Sequence, residues 1–250
     1  MIPLRDDNPI RRGAIVVPAL IVINLVMFIF VQPSFGAGTT EQRNYAVCSA
    51  AIPYEITHGR SAAEAARRGD VDPSSSIVRV QEAFCPNKNV WLSVLRSMFL
   101  HAGFLHIAGN MLYLWIFGNN IEDRLGRARF LLFYLLCGLI ATFAQSFVSP
   151  DSGTPMVGAS GAIAGVLGAY LLAFPRARVR TLVIFFFITI VDLPAVVVLG
   201  LWFLLQVFQG LGSVTGSTGV AYMAHVGGFI AGMLLLGLFR PRRPPARLSL

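Results

Sequence analysis

The chain has 250 residues, of which 55% are hydrophobic and only 13% charged. Soluble domains average roughly 45–50% apolar and about 25% charged residues, so these fractions exclude a soluble globule and indicate a membrane protein. The 20 Lys and Arg outnumber the 12 Asp and Glu, but they lie between apolar runs, where they orient a chain in a bilayer and do not form a nucleic-acid patch.

A hydrocarbon core about 30 Å thick requires helices of about 20 apolar residues. Residues 1–13 read as a cytoplasmic N-terminal segment with two acidic residues, Asp6 and Asp7. The apolar run Ala14–Val31 is longer than a signal-peptide core of about 7 to 15 residues, so the first crossing is expected over 14–32 as a retained helix. An external loop follows over 33–97. Within it, Ser61 and Glu64 have the spacing of a capping box, which predicts a surface helix over 62–68. Further crossings are expected over 98–119, 129–149 and 157–174. The apolar stretch Thr181–Gln209 contains Asp192-Leu193-Pro194, which divides it into an interfacial piece, 181–191, and a fifth crossing, 193–210. The Gly/Ser-rich stretch 210–219 reads as a movable cap. A sixth crossing over 220–239 and a cytoplasmic tail over 240–250 complete an all-α, six-helix membrane domain spanning 14–239.

Charge supports this topology. The N-terminal segment, the second-to-third and fourth-to-fifth connections and the tail hold 13 of the 20 basic residues, all Arg. The opposite side balances 7 Lys and Arg against 7 Asp and Glu. Both termini are therefore assigned to the cytoplasmic side of a plasma or inner membrane. Cys48 and Cys85 fall in the external loop, where disulfides are permitted, and a bridge between them is expected. Two unpaired thiols are the alternative. Cys137, in the third helix, reads as a packing residue.

Polar groups inside the apolar helices are costly and therefore informative. They are His101, His106 and Asn110 in the second helix, Ser160 opening the fourth and His225 in the sixth. A serine at a helix start is either an N-cap or, with Gly158 and Gly161 leaving room beside it, a nucleophile at a helix N-terminus whose amides favour an oxyanion. His225, Gly228 and Gly232 share one helical face. The fourth helix carries small residues at Gly161 and Gly165, and again at Ala164 and Gly168. Packing these faces together would bring His225 against Ser160 and form a Ser-His dyad. His106 and Asn110, four residues apart, project from one face as either interhelical links or oxyanion donors. A zinc site built from His101, His106 and His225 lacks the usual His-Glu-x-x-His, and Asp192 alone cannot form an aspartyl pair.

The set His106-x-x-x-Asn110, Gly158-x-Ser160-Gly161 and Ala224-His225-x-x-Gly228-x-x-x-Gly232 resembles the rhomboid intramembrane serine proteases. Glu122-Asp-Arg124-Leu-Gly126 and Leu201-Trp202-Phe-Leu-Leu-Gln206 are similar to further family features. The likeness covers about 91–239. It implies Ser160 as nucleophile, His225 as general base and then acid, and an oxyanion hole of His106, Asn110 and the Ser160 backbone N–H. Glu122 and Arg124 would make structural contacts on the cytoplasmic side. The implied substrates are transmembrane proteins met within the lipid bilayer, with no metal or cofactor. Ala164 stands where some members carry an aromatic residue, and no Trp-Arg pair precedes Trp91. A catalytically inactive relative that binds transmembrane helices is the alternative; the joint presence of Ser160, His225, His106 and Asn110 favours the enzyme.

Overall fold

The structure, a computed structural model, describes residues 1–33, 39–184, 188–213 and 220–239. The expected tail, 240–250, and residues 214–219 of the expected cap lie outside them.

The first apolar helix, α1 (Val16–Val26), continues through a π-helical turn at Met27–Val31. Its N-cap position, Ile15, has no side chain able to cap. Glu122 takes that role from another helix: Oε1 accepts the Ile15 and Val16 N–H groups at 2.8 and 2.9 Å, and Oε2 accepts that of Val17 at 2.8 Å. A carboxylate there satisfies orphan donors and complements the positive end of the helix dipole.

The segment expected to be an external loop is a layer of short helices: α2 (Thr40–Ser49), α3 (Pro53–His58), α4 (Ala62–Arg67), α5 (Ser76–Phe84) and α6 (Val90–Ser97). The Ser61 hydroxyl caps α4 by accepting from the Glu64 N–H at 3.2 Å. Ala62, Ala63 and Ala65 are nevertheless buried, so α4 packs within the layer and is not a purely surface helix. Cys48 and Cys85 are joined by a disulfide linking α2 to the end of α5. Beneath it, Lys88 Nζ donates to Glu55 Oε2 at 2.6 Å, and both side chains are almost wholly buried. Burial lowers the Lys88 pKa, an effect that Glu55 opposes.

The second long helix, α7, runs from Phe104 to Leu125, about six residues later at both ends than expected. The chain turns tightly through Met98–Leu100, with i to i−3 hydrogen bonds from all three N–H groups, so α6 does not run on into α7. At the far end, Asn120, Glu122 and Asp123 remain helical because the N-terminal segment supplies partners: Asn120 Nδ2 donates to Asp6 at 2.7 Å, and Asp123 accepts the Arg11 and Arg12 N–H groups at 3.0 and 3.1 Å. Helices α8 (Arg127–Val148), α9 (Ser160–Ala173), α10 (Ala195–Ser213) and α11 (Tyr222–Leu238) complete the bundle. Buried along Ala162–Tyr170, α9 is central, packing against α7, α8, α10 and α11.

The expectation of an all-α chain is corrected. Strand β1 (Ile2–Asp6) pairs antiparallel with β2 (Arg178–Ile184), which pairs antiparallel with β3 (Ile188–Pro194). The described residues of the stretch expected as an interfacial piece, 181–184 and 188–191, thus belong to this three-stranded sheet, and 185–187 lie outside the described residues. β-Branched residues at Val179, Thr181, Val183, Ile188, Thr189, Ile190 and Val191 favour a pleated ribbon, and Pro194 closes its last strand. Among the described residues, Arg127–Val148 and Ala195–Gly212 are the two helices long and apolar enough to cross a membrane on length and composition alone; Val16–Val31, α9 and α11 are apolar but shorter.

Candidate active site

Ser160 is the first residue of α9. The N-cap position is Ala159, with no side-chain cap, so the Ser160 hydroxyl is not used in capping. Instead its Oγ lies 2.8 Å from His225 Nε2 on α11. The backbones of α9 and α11 approach closely enough to allow this contact. A β-carbon on Gly228 would overlap the Gly161 carbonyl and one on Gly232 the Gly165 backbone, while one on Gly165 would overlap the Cys137 side chain of α8. Only glycine fits these crossings, and the Gly-x-x-x-Gly spacing repeats them one helical turn apart.

The other ring nitrogen of His225, Nδ1, lies 2.7 Å from Gln206 Oε1 on α10. Trp202, one turn earlier on α10, places its ring 5.9 Å from the imidazole, and Tyr222 approaches edge-on at 6.4 Å. The beginning of α11 is fixed by Gln145 of α8, whose Oε1 accepts the Met223 and Ala224 N–H groups at 3.1 and 3.3 Å.

His106 and Asn110 lie on the α7 face that meets this pair. The Ala102 N–H points to His106 Nδ1 at 3.4 Å, which leaves Nε2 as the donor of that ring. Asn110 is buried, and its Nδ2 has no hydrogen-bond partner. A buried amide donor without a partner is costly unless a ligand oxygen supplies one. Gly158 adopts a φ of +127°, and a β-carbon there would fall 2.9 Å from the His106 ring. Its glycine identity therefore keeps open the space between His106 and Ser160. Ser160, His225, His106, Asn110, Trp202 and Gln206 all line one cavity of about 780 Å³.

The α2–α6 layer holds the segment that leads into Ser160. The Gly158 N–H donates to the Ser97 carbonyl at 2.9 Å, and the Met156 N–H to the Ala51 carbonyl at 2.7 Å. The disulfided cysteines are not among the residues lining the cavity. His101 also falls outside that lining; its ring packs edge-on against His106 at 5.2 Å, and both its nitrogens lack hydrogen-bond partners. The described residues contain no grouping of three His, Cys, Asp or Glu suited to a metal ion.

Ser160, His225, His106 and Asn110, the residues singled out in the sequence, come together at this cavity, whereas Gln206 has no role assigned from the sequence. The available signal was a lone amide in the apolar α10, four residues after Trp202 and hence on the same face.

The Rhomboid domain family model matches residues 88–242, more than half of the chain. The chain is 44% identical over 81 residues to Rhomboid protease GluP of Bacillus subtilis, covering 32% of this chain and 15% of that protein. It is 32% identical over 167 residues to Presenilin-associated rhomboid-like protein A, mitochondrial, of Danio rerio, covering 63% and 41% respectively. Rhomboid protein 1, mitochondrial, of Saccharomyces cerevisiae is 31% identical over 150 residues, covering 57% and 40%. The chain spans less than half the length of each of these relatives.

Proposed function

This chain belongs to the membrane-embedded rhomboid family, and on that premise we propose that it is a serine endopeptidase hydrolysing peptide bonds in or near substrate transmembrane segments. The 2.8 Å contact between Ser160 Oγ and His225 Nε2 carries this reading. As Oγ attacks the scissile carbonyl, Nε2 accepts its proton. The tetrahedral oxyanion receives hydrogen bonds from the Ser160 N–H, the orphaned Asn110 amide and His106 Nε2. The imidazolium returns its proton to the leaving amine, and water held in the cavity then hydrolyses the acyl-enzyme by the same relay.

We further place the domain across the bilayer six times, with both termini in the cytoplasm of a plasma or inner membrane and the α2–α6 layer outside. The distribution of arginine supports that orientation. The partners are transmembrane proteins and lipid.

The reading is tested with the protein reconstituted in liposomes beside a transmembrane substrate carrying a fluorescent reporter. Cleavage by the native chain and its loss in both Ser160→Ala and His225→Ala are expected. Equal cleavage by all three would refute the dyad; binding without cleavage by the native chain would leave a non-hydrolytic helix-binding protein.

A further inference from the structure

Resting on that reading, we infer that Gln206 is the positioning residue of the site: its amide oxygen fixes the tautomer and orientation in which His225 acts as a base. The Gln206 Oε1 to His225 Nδ1 distance is 2.7 Å. An amide oxygen only accepts hydrogen bonds, so Nδ1 must carry the proton. Nε2 is then left with a lone pair directed at Ser160 Oγ, 2.8 Å away. In the other tautomer an Nε2–H would face the hydroxyl, and no base would be present. Serine hydrolases commonly assign this orienting role to a buried carboxylate. Among the described residues lining the cavity there is none: its titratable side chains are His106, Tyr113 and His225 beside Ser160.

A neutral amide suits the setting. An ionised carboxylate at membrane depth is expensive to desolvate, whereas an amide orients the ring without adding charge. Trp202 sits one turn away on the same face of α10 with its ring 5.9 Å from the imidazole, so α10 supplies both the hydrogen bond and a packing surface for His225. The hydrogen bond at Nδ1 and the packing of Trp202 together hold Nε2 on its line to Oγ. The aromatic neighbour here comes from α10, while position 164 is a buried alanine.

The test combines spectroscopy with kinetics. The chain contains 4 histidines, so ¹⁵N-histidine labelling gives a spectrum that His225→Ala assigns by loss of one residue's signals. The native protein is expected to show His225 protonated at Nδ1 and unprotonated at Nε2 at neutral pH. Gln206→Met keeps the side-chain length but removes the acceptor. It is expected to lose the fixed tautomer and to lower kcat about tenfold, the loss of one neutral hydrogen bond, with KM unchanged. A native His225 protonated at Nε2, or a Gln206→Met variant with native tautomer and kcat, would overturn the inference. If the native protein cleaves nothing, the proposed function fails while the tautomer still decides whether Gln206 orients the ring. If Ser160→Ala and His225→Ala abolish cleavage but Gln206→Met does not slow it, the dyad stands and the positioning role falls.

Discussion

The carbonyl oxygen of Gly161 occupies the space that a β-carbon on Gly228 would need. This contact lies one residue past Ser160 on α9 and three past His225 on α11, so the spacing of these two helices sets the distance between the proposed nucleophile and base. Gly228→Ala must push the helices apart. We expect a destabilisation of about 1–3 kcal/mol, typical of overpacking, and a larger proportional loss of activity than of folded protein. Thermal unfolding and turnover measured on the same preparation check this; full activity with a lowered melting temperature would separate the glycine contact from the chemistry.

Asn110→Ala removes a donor whose amide has no other partner. The expected result is a fall in kcat of roughly 10² to 10³, with little loss of stability because no native hydrogen bond is broken. Single-turnover cleavage distinguishes this from an effect on binding. An unchanged rate would remove Asn110 from the proposed oxyanion hole.

How much of this was legible in the sequence depended on whether a residue's role was local. Ser160, His225 and the glycines that bring them together could be inferred because small residues at helical spacing define a contact face without reference to a third element. The pairing of β2 with β3 could not, because an unbroken apolar run such as that from Thr181 onward satisfies a helix and a strand equally. The pairing of Ile2 with Leu182 joins residues far apart in the chain, and nothing local announces it. Gln206 was visible as a polar residue in α10, but its role depends on how α10 is rotated toward α11. The start of α7 is not legible because the apolar residues 98–100 read as part of the crossing, whereas they form the tight turn that follows α6.

Glu122 links α7 to the beginning of α1 through three backbone N–H groups. Glu122→Ala strands those donors at a partly buried helix end. Hydrogen bonds to charged groups contribute about 1.5–3 kcal/mol each, though they are not additive, so a loss of several kcal/mol is expected. Proteolysis of the folded protein should become faster in the N-terminal segment than elsewhere; uniform protection would contradict the capping role.

In the α2–α6 layer, Lys88→Met leaves the Glu55 carboxylate buried without its ion pair, and a destabilisation of about 3–5 kcal/mol is expected. Replacing both partners with apolar residues should recover much of that loss. Reduction of the Cys48–Cys85 bridge should lower stability by up to about 4 kcal/mol in the chain-entropy model. Both are read by unfolding in detergent. Because this layer holds Gly158 through Ser97, activity should fall in parallel with stability; activity unaffected by loss of the layer's structure would show that Ser160 is positioned without it.

The most direct measurement of the central claim is covalent labelling of the native chain and Ser160→Ala, in lipid, with a fluorophosphonate, followed by mass spectrometry of the modified peptide. The account predicts a single adduct at Ser160 in the native chain, slowed in His225→Ala and absent from Ser160→Ala. Equal labelling of the native chain and Ser160→Ala would contradict it.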